Sequence, residues 1–411
     1  MVNIAVLGYG TVGSGVVEVI NTNGARINQR VGDEIVIKYV LDLRDFPGDP
    51  IQEKIVHDFD IVLQDPEVKI VVEVMGGIEP AYTFVKKALL AGKSVATSNK
   101  ALVAKHGAEL LSIASEKNIN FLFEASVGGG IPIIRPLNSS LTADEIEEIT
   151  GILNGTTNYM MTKMFYEGAD YDAVLKEAQD NGYAEREPAA DVEGYDACRK
   201  IAILASLISG QQVDFEDIYT EGITKITTAD MLYAKELGMT IKLLASCRRD
   251  GDHLYAIVAP YMIDKDHPLY NVNGVFNAIF VHGNVLGDAM FYGSGAGKLP
   301  TASAVVSDVV EEAKNLNRNV MTMWKSDKLE LYPIQQTKKR FFVRIAGEEE
   351  ALRAHLESKF GPIVTVHTDS LKEEFGFITE VMTEGAYEEC AKEFPGILHM
   401  IRVDHQTQIQ E

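Results

Sequence analysis

The chain has 411 residues, of which 46% are apolar and 24% charged, and this length and composition predict two or three folded domains. Lys and Arg number 38 and Asp and Glu 60, which gives a formal net charge of −22. Phosphodiester backbones and anionic lipid surfaces repel so acidic a protein, which argues against nucleic acid or a membrane as its main partner.

Targeting signals are not visible in the sequence. No run approaches the roughly 18 apolar residues of a membrane-spanning helix, and the N-terminus lacks the basic region of a secretory signal. The cysteines are few, far apart and odd in number, at positions 198, 247 and 390. This usage is typical of a reducing compartment, and we therefore expect a cytoplasmic location.

The first thirty residues predict a dinucleotide site. Residues 3–7 are apolar and too few for a helix, which indicates a buried parallel strand, and a helical pattern begins after Gly13. Between them, Gly8 permits a tight turn, Gly10 lets the backbone approach a pyrophosphate, and Gly13 allows close packing of helix on strand. The helix N-terminus then presents free N–H groups to the phosphates. This context favours NAD(P) binding over a glycine-rich turn that binds nothing.

Strands and helices alternate as far as residue 135, which predicts βαβ units in a Rossmann-type, doubly wound parallel sheet. The expected strands after the first are 34–41, 70–74, 94–97 and 121–125, and the expected helices are 82–91 and 101–118.

Asp42 and Arg44, which follow the second strand, favour different cofactors. Asp42 stands where a carboxylate accepts a hydrogen bond from a ribose 2′-hydroxyl, which favours NAD. Arg44 can instead pair with a 2′-phosphate, which favours NADP. The spacing from Gly13 to Asp42 is longer than usual, so the sequence leaves both cofactors open.

The pattern changes from about Ile131, and an α+β domain inserted into the dinucleotide fold is expected. Its predicted elements are strands at 146–153, 254–260 and 278–281 and helices at 171–181 and 195–209, and a helix at 301–316 returns to the first domain. A last segment has the order βαββαβ, a ferredoxin-like arrangement. We predict a dinucleotide-binding domain (1–135, completed by the return helix within 300–320), a substrate-binding and dimerisation domain (136–299) and a C-terminal domain (338–411).

Ionisable residues are concentrated between positions 185 and 200. Asp196 and Lys200 are four residues apart in a predicted helix and share a face, while Glu185 and Asp191 lie in the loop before it. An ordinary surface ion pair is the simpler interpretation, at about 0.5 kcal/mol. The additional loop carboxylates favour a site for a substrate with a cationic amine and a reducible carbonyl. The carboxylates hold the amine, and lysine donates a proton to the developing alkoxide.

Lys100 and Cys198 are further candidates for catalysis, and the sequence favours Lys100 over Cys198. Lys100 lies where a strand ends and a helix begins, at the edge where open α/β sheets bind ligands. Cys198 points away from the face of Asp196 and has no histidine nearby in sequence, so we expect it to be structural. An acylating dehydrogenase, which needs a cysteine nucleophile, is therefore not favoured.

With these residues the chain resembles the homoserine dehydrogenase family over about residues 1–320. The family signature is met at every position of residues 178–200, written Ala178-x3-Gly182-Tyr-Ala-Glu185-x2-Pro188-x2-Asp191-Val-x-Gly194-x-Asp196-x3-Lys200. Further stretches typical of the family are 8–15, 71–77, 96–100, 124–132, 151–158 and 292–297.

The resemblance implies reversible, NAD(P)H-dependent reduction of aspartate semialdehyde to homoserine. It implies that Lys200 is the proton donor, that Lys100 is a second lysine at the hydride-transfer site, and that three carboxylates bind the amino-alcohol, namely Glu185, Asp191 and Asp196. It also implies a monovalent cation, usually sodium, held largely through carbonyl oxygens at Glu124, Val127, Gly129 and Ile131. The cofactor residues expected are Gly8, Gly10, Thr11, Val12, Gly13, Asp42, Arg44, Thr97, Lys100, Gly182 and Gly297.

The C-terminal segment resembles an ACT domain, a module that often binds amino acids. The Asp-x-Pro-Gly pattern usual after its first strand is replaced here by the residues 346–351, Ala-Gly-Glu-Glu-Glu-Ala. Feedback by threonine and a dimer-packing domain without ligand are both open interpretations. We expect a monofunctional homodimer or homotetramer. The alternative functions are another NAD(P)-dependent amino-acid aldehyde reductase and a non-catalytic NAD(P)-sensing regulator, although a sensor has no use for the charged loop and helix.

Overall fold

The computed structural model describes residues 1–321 and 324–404, which fold into two compact units. The first unit comprises Met1–Ile146, Arg199–Phe215 and Phe291–Leu329, and the second comprises Glu147–Cys198, Glu216–Met290 and Glu330–Glu411. The expected C-terminal domain extends to residue 411, and its last residues, 405–411, lie outside the described part. No helix of the described ranges is long and apolar enough to cross a membrane.

The described strands, in chain order, are β1 (Val2–Leu7), β2 (Ile35–Leu41), β3 (Ile55–Val56), β4 (Val68–Glu73), β5 (Ser94–Thr97), β6 (Phe121–Leu122), β7 (Ile146–Ile152), β8 (Gln211–Gln212), β9 (Tyr219–Thr220), β10 (Met239–Asp250), β11 (His253–Asp264), β12 (Phe276–Gly283), β13 (Gly287–Ser294), β14 (Lys325–Lys328), β15 (Lys338–Ala346), β16 (Val364–Val366), β17 (Glu374–Ile378), β18 (Met382–Thr383) and β19 (Ile397–Val403).

The described α-helices are α1 (Thr11–Val31), α2 (Phe59–Gln64), α3 (Ala81–Leu90), α4 (Lys100–Glu116), α5 (Gly155–Glu167), α6 (Tyr171–Asp180), α7 (Ala189–Val192), α8 (Tyr195–Ser209), α9 (Thr228–Glu236), α10 (Lys298–Lys314), α11 (Glu349–Phe360) and α12 (Glu384–Ala391). Short 3₁₀ turns lie at Pro50–Lys54, Glu124–Ser126, Phe215–Asp217 and Ile334–Gln336, and a π-helical turn at Pro136–Ser140.

A six-stranded parallel sheet forms the centre of the first unit, in the order β3-β2-β1-β4-β5-β6. Every residue of β1 is buried, as expected for a strand covered on both faces. Helix α10 packs against α1, where a Cβ on Gly15 would lie 2.8 Å from the carbonyl oxygen of Lys298. This architecture confirms the predicted doubly wound parallel sheet.

A second, mixed sheet runs in the order β13-β12-β7-β10-β11-β19-β15-β17-β16, with β9 paired to β11 and β18 to β15. Its centre is the long antiparallel β10–β11 hairpin, in which Met239 pairs with Asp264 at one end and Asp250 with His253 at the other. The C-terminal strand β19 joins this hairpin by parallel pairing with β11. The βαββαβ segment and the α+β region therefore share one continuous sheet.

Predicted and observed elements differ most in the middle of the chain. The expected strand 121–125 ends at Leu122, and a 3₁₀ turn at Glu124–Ser126 follows it. Helix α5 was not expected, because Thr156 and Thr157 at its start are β-branched and the segment lacks a clear amphipathic period. Side-chain capping by Asn154 and burial of three methionines stabilise it as a helix instead.

Candidate active site

The glycine turn after β1 has the geometry that a bound pyrophosphate requires. Gly8 has a φ of +99°, and a Cβ on Gly13 would lie 1.9 Å from the Gly8 carbonyl oxygen, so neither position accommodates a side chain without strain. A Cβ on Gly10 would meet nothing within 4 Å, which leaves open space beside the backbone there. Helix α1 begins directly afterwards, with exposed Thr11 and half-buried Val12 in its first turn.

Asp42 and Arg44 form one unit at the end of β2. The Asp42 carboxylate accepts hydrogen bonds from the Tyr9 backbone N–H at 2.8 Å and from Nε and Nη2 of Arg44, both at 3.0 Å. The Arg44 guanidinium lowers the pKa of Asp42 well below its usual range. The Arg44 side chain is 62% exposed, and its guanidinium lies over the ring of Phe46. The two candidate specificity residues therefore bind each other, and the carboxylate stays ionised.

The carboxyl ends of β4 and β5 are joined by a buried hydrogen-bond network. Glu73 is fully buried and accepts from the Thr97 hydroxyl at 2.6 Å and from the backbone N–H of Met75 at 2.8 Å. Burial raises the pKa of Glu73. The Thr97 hydroxyl in turn accepts from the backbone N–H of Asn99, whose side chain caps α4. This network fixes the position of Lys100, the first residue of α4.

The segment 124–135 closes into a tight loop around the Glu124 side chain. Both carboxylate oxygens of Glu124 accept backbone N–H groups, from Ile133 at 2.6 Å, Ile134 at 2.8 Å and Arg135 at 2.8 Å. The Glu124 backbone N–H donates to Asp308 of α10 at 2.8 Å, and Arg135 pairs with the same carboxylate at 2.6 Å. Burial raises the pKa of Asp308 to about 8.

Glycines make the curvature of this loop sterically feasible. Gly129 has a φ of +58°, and a Cβ on it would lie 2.2 Å from the carbonyl oxygen of Gly295. A Cβ on Gly128 would lie 2.3 Å from the carbonyl oxygen of Ile131. The side chains of Val127 and Ile131 are apolar and buried, so that only their backbone offers polar atoms.

Asn154 brings two of the predicted substrate carboxylates together in the second unit. Its Nδ2 donates to Asp191 Oδ1 at 2.7 Å and to Asp196 Oδ2 at 3.0 Å. Its Oδ1 accepts the backbone N–H of Thr157 at 2.9 Å, which caps α5 and fixes the orientation of the amide. Asp196 is 4% exposed and Asp191 is half-buried. The cluster thus holds two carboxylates close together, one buried and one half-buried.

The remaining predicted site residues lie on α8, in the loop after α6 and directly before α10. Lys200 is buried and lies four residues after Asp196 on α8, one turn along the same helix. Glu185 is exposed, and its backbone carbonyl accepts a hydrogen bond from Gln179. Gly182 follows α6 with a φ of +72°, and Gly297 precedes α10 with a φ of +119°. In residues 1–321 and 324–404, no three His, Cys, Asp or Glu side chains are grouped as metal ligands.

The residue that assembles the carboxylate pair, Asn154, was not among the predicted site residues. The same is true of Glu73 and Asn99, which support the Lys100 region. A signal for Asn154 was present, because an Asn followed by Gly-Thr-Thr is a favourable helix N-cap. No local pattern indicated its contacts with Asp191 and Asp196, which lie more than thirty residues away in sequence.

Comparison with known proteins gives matches over almost the whole chain. The family model described as the NAD-binding domain of homoserine dehydrogenase matches residues 8–124, and the homoserine dehydrogenase model matches residues 132–310. A homoserine dehydrogenase of Synechocystis is 39% identical over 432 residues, with 97% of this chain and 99% of the relative covered. The chain belongs to the homoserine dehydrogenase family.

Solved structures of the family agree with this assignment. The crystal structure of a homoserine dehydrogenase from Thiobacillus denitrificans superposes with a TM-score of 0.90 at 35% identity, over 98% of each chain. A hyperthermophilic archaeal homoserine dehydrogenase in complex with NADPH superposes with a TM-score of 0.65 at 29% identity, over 76% of this chain and 97% of its own. Membership confirms the resemblance seen in the sequence and places the chain among NAD(P)-dependent oxidoreductases. It does not favour a non-catalytic sensor or another aldehyde reductase.

Proposed function

We propose that this protein catalyses the reversible, NAD(P)H-dependent reduction of L-aspartate 4-semialdehyde to L-homoserine, in the threonine and methionine branch of amino-acid biosynthesis. The observation that carries the proposal is the Asn154-bound pair of Asp191 and Asp196 at the start of the helix that bears Lys200. Two adjacent carboxylates suit a substrate ammonium group, and a buried lysine next along the helix suits proton transfer.

In this mechanism each residue acts on a defined part of the substrate. Asp191 and Asp196 bind the ammonium group and orient the aldehyde, with Glu185 as the third carboxylate of the set. When bound, NAD(P)H would supply the hydride for the aldehyde carbon. The carbonyl oxygen gains negative charge as that C–H bond forms, and Lys200 Nζ donates a proton to it, which gives the alcohol. In the oxidative direction Lys200 accepts the proton. Lys100 acts at the hydride-transfer site as the second lysine.

The cofactor is NADP or NAD, bound along the turn after β1 and the strand ends beside it. Thr11 and Val12 contribute the first turn of α1, while Thr97, Gly182 and Gly297 complete the proposed set with Asp42 and Arg44. The Asp42–Arg44 pair is compatible with either cofactor, because the exposed Arg44 side chain can leave Asp42 and bind a 2′-phosphate, whereas Asp42 can accept from a 2′-hydroxyl.

We further propose that the loop at Glu124, Val127, Gly129 and Ile131 holds a monovalent cation, sodium in the first instance. The Glu124 carboxylate already accepts three backbone N–H groups, and the side chains of Val127 and Ile131 are apolar. Backbone carbonyl oxygens are therefore the donors that this loop can offer, and hard cations prefer oxygen ligands. The cation would stabilise the loop and carry no step of the reaction.

The C-terminal segment supports a regulatory proposal. Its order of elements, β15-α11-β16-β17-α12-β19 with the short β18 added, matches the split βαββαβ arrangement. We propose that residues 338–411 form an ACT-like domain and that threonine is its effector. The other two proposed domains are 1–135, completed by the helix within 300–320, and 136–299. Inhibition of the intact enzyme by threonine tests the effector proposal, and no inhibition at saturating threonine would exclude it.

We propose a cytoplasmic homodimer or homotetramer. The β12–β13 hairpin and its flanks expose large apolar side chains, which a second copy would cover. They are Val275, Phe276, Val285, Leu286 and Met290. No disulfide joins the three cysteines, all of which lie in the described part of the chain, and this agrees with a reducing compartment.

The test of the proposed reaction is reduction of NAD⁺ and NADP⁺, titrated in parallel, with L-homoserine as the sole second substrate. We expect saturable turnover with at least one cofactor and none when the amine of homoserine is acetylated. Absence of turnover with both cofactors, from protein that binds NADPH, would contradict the proposal.

A further inference from the structure

A buried arginine of the C-terminal strand binds residues 219–221 of the second unit. Arg402 of β19 is 1% exposed, and its Nη1 donates to Glu221 Oε2 at 2.7 Å. Its Nε donates to buried Glu384 at 3.0 Å, and its guanidinium lies 4.9 Å from the ring centroid of Tyr219. Arg402 therefore crosslinks the C-terminal segment to β9 and to Glu221, which directly follows it.

The residues after Glu221 pack directly on helix α7. The backbone N–H of Ile223 donates to the carbonyl oxygen of Val192, the last residue of α7, at 2.8 Å. A Cβ on Gly222 would lie only 2.0 Å from that same oxygen and 2.5 Å from the Cα of Glu193. Contact this close leaves α7 no room to move towards residues 222–223.

Helix α7 carries Asp191, one residue before Val192. The Asp191 carboxylate meets the amide of Asn154 at 2.7 Å, so its position depends on α7 from one side and on Asn154 from the other. The segment 221–223 supports α7 through backbone contacts, and Arg402 anchors that segment through Glu221.

We propose that Arg402 is a positioning residue for the substrate carboxylate Asp191. The proposal rests on the proposed function, because it takes Asp191 as the group that binds the substrate ammonium. The C-terminal segment then contributes to homoserine binding with no effector bound. Loss of the guanidinium would leave Glu221 and Glu384 without their shared cation, and the 221–223 segment could shift under α7. Small displacements of a binding group lower substrate affinity strongly.

The variant Arg402→Met tests this against a matched control, Arg344→Met. Arg344 is the comparable case, since it is 8% exposed, lies on β15 and binds the two carboxylates of Asp230 and Glu374, each at 2.9 Å. Its contacts lead to α9 rather than to α7. We expect Arg402→Met to raise KM for homoserine about tenfold, with kcat and the Kd of NADPH changed by less than about threefold. Arg344→Met should lose similar thermal stability and keep KM within about twofold.

Two milder variants cover the case in which Arg402→Met does not fold. Glu221→Gln keeps the shape of the side chain and removes its charge, and Gly222→Ala pushes directly on the Val192 carbonyl. Both should raise KM for homoserine, and Arg402→Lys should restore part of the loss. Equal KM effects of the Arg402 and Arg344 variants, or an unchanged KM in folded Glu221→Gln and Gly222→Ala, would overturn the proposal. Absence of homoserine turnover in the unmutated protein would instead contradict the proposed function.

Discussion

The glycine turn of the first unit and the carboxylate pair of the second unit are built in opposite ways. The turn is made of neighbours in sequence, and Gly8 and Gly13 contact each other five residues apart. The carboxylate pair needs Asn154, Asp191 and Asp196, which come together only through α5, α7 and α8. Local motifs of the first kind depend on backbone geometry, whereas sites of the second kind depend on the packing of several elements.

The largest effect that would sharpen this comparison is expected at Lys200, which we propose acts in proton transfer and not in substrate binding. Lys200→Ala removes the proposed proton donor, and we expect kcat to fall by at least about a thousandfold. The Kd of NADPH, measured by fluorescence titration, should stay within about threefold because the glycine turn is unchanged. Lys105→Ala, which removes an exposed lysine from α4, is the control and should keep normal kcat. Near-normal turnover of Lys200→Ala would exclude its role.

Gly13→Ala tests whether the turn depends on backbone geometry alone. The new Cβ would lie 1.9 Å from the Gly8 carbonyl oxygen, so the turn must open, and we expect the Kd of both cofactors to rise about a hundredfold. Gly24→Ala is the matched control on the same helix, because a Cβ there meets nothing within 4 Å. It should leave cofactor binding intact and stabilise α1 by up to about 1 kcal/mol. Equal cofactor affinities of the two variants would contradict this account.

Asn154→Asp tests whether the carboxylate pair depends on its amide. Aspartate keeps the N-cap of α5 but replaces the donor to Asp191 and Asp196 with a third negative charge. We expect KM for homoserine to rise at least about tenfold while cofactor Kd is unchanged. Asn181→Asp adds the same charge at an exposed position of the second unit and serves as the control. An unchanged KM would show that the amide does not organise the pair.

The last expected effect is on stability alone, as a pH dependence near α5. Burial lowers the pKa of Lys242 to about 7, and its Nζ donates to Asn158 and to the Val272 carbonyl. The pKa of lysine in the unfolded chain is about 10.4, so between these values the unfolded chain binds more protons and the free energy of unfolding rises with pH.

Urea denaturation of the unmutated protein and of Lys242→Met measures this effect. The stability of the unmutated protein relative to the variant should increase by up to about 1.4 kcal/mol per pH unit between about pH 7 and 10. Lys176→Met, at a side chain that is 74% exposed, should show no such slope. A difference that does not change with pH would contradict the lowered pKa.

Much of the fold was predictable because its signals are local. Strand β5 and helix α8 begin and end at the predicted residues, and the parallel sheet follows from the alternation of short apolar runs with amphipathic helices. Helix α5 was missed, since its stability comes from a cap and from burial rather than from its own periodicity. The pairing of β19 with β11 could not be predicted from the sequence either, because no local pattern specifies which strand joins a distant hairpin.

By itself, the sequence determined the glycine turn, the type of sheet, the position of Lys100 at a helix start, the position of Lys200 one turn after Asp196, and the family resemblance. The tertiary structure alone decided that Asn154 holds Asp191 and Asp196, that Asp42 and Arg44 bind each other, and that Arg402 binds Glu221 in the segment that contacts α7. The physical reason is the range of the interactions. Backbone geometry and helix starts are encoded within a few residues, whereas hydrogen bonds between side chains far apart in sequence exist only after the elements have packed.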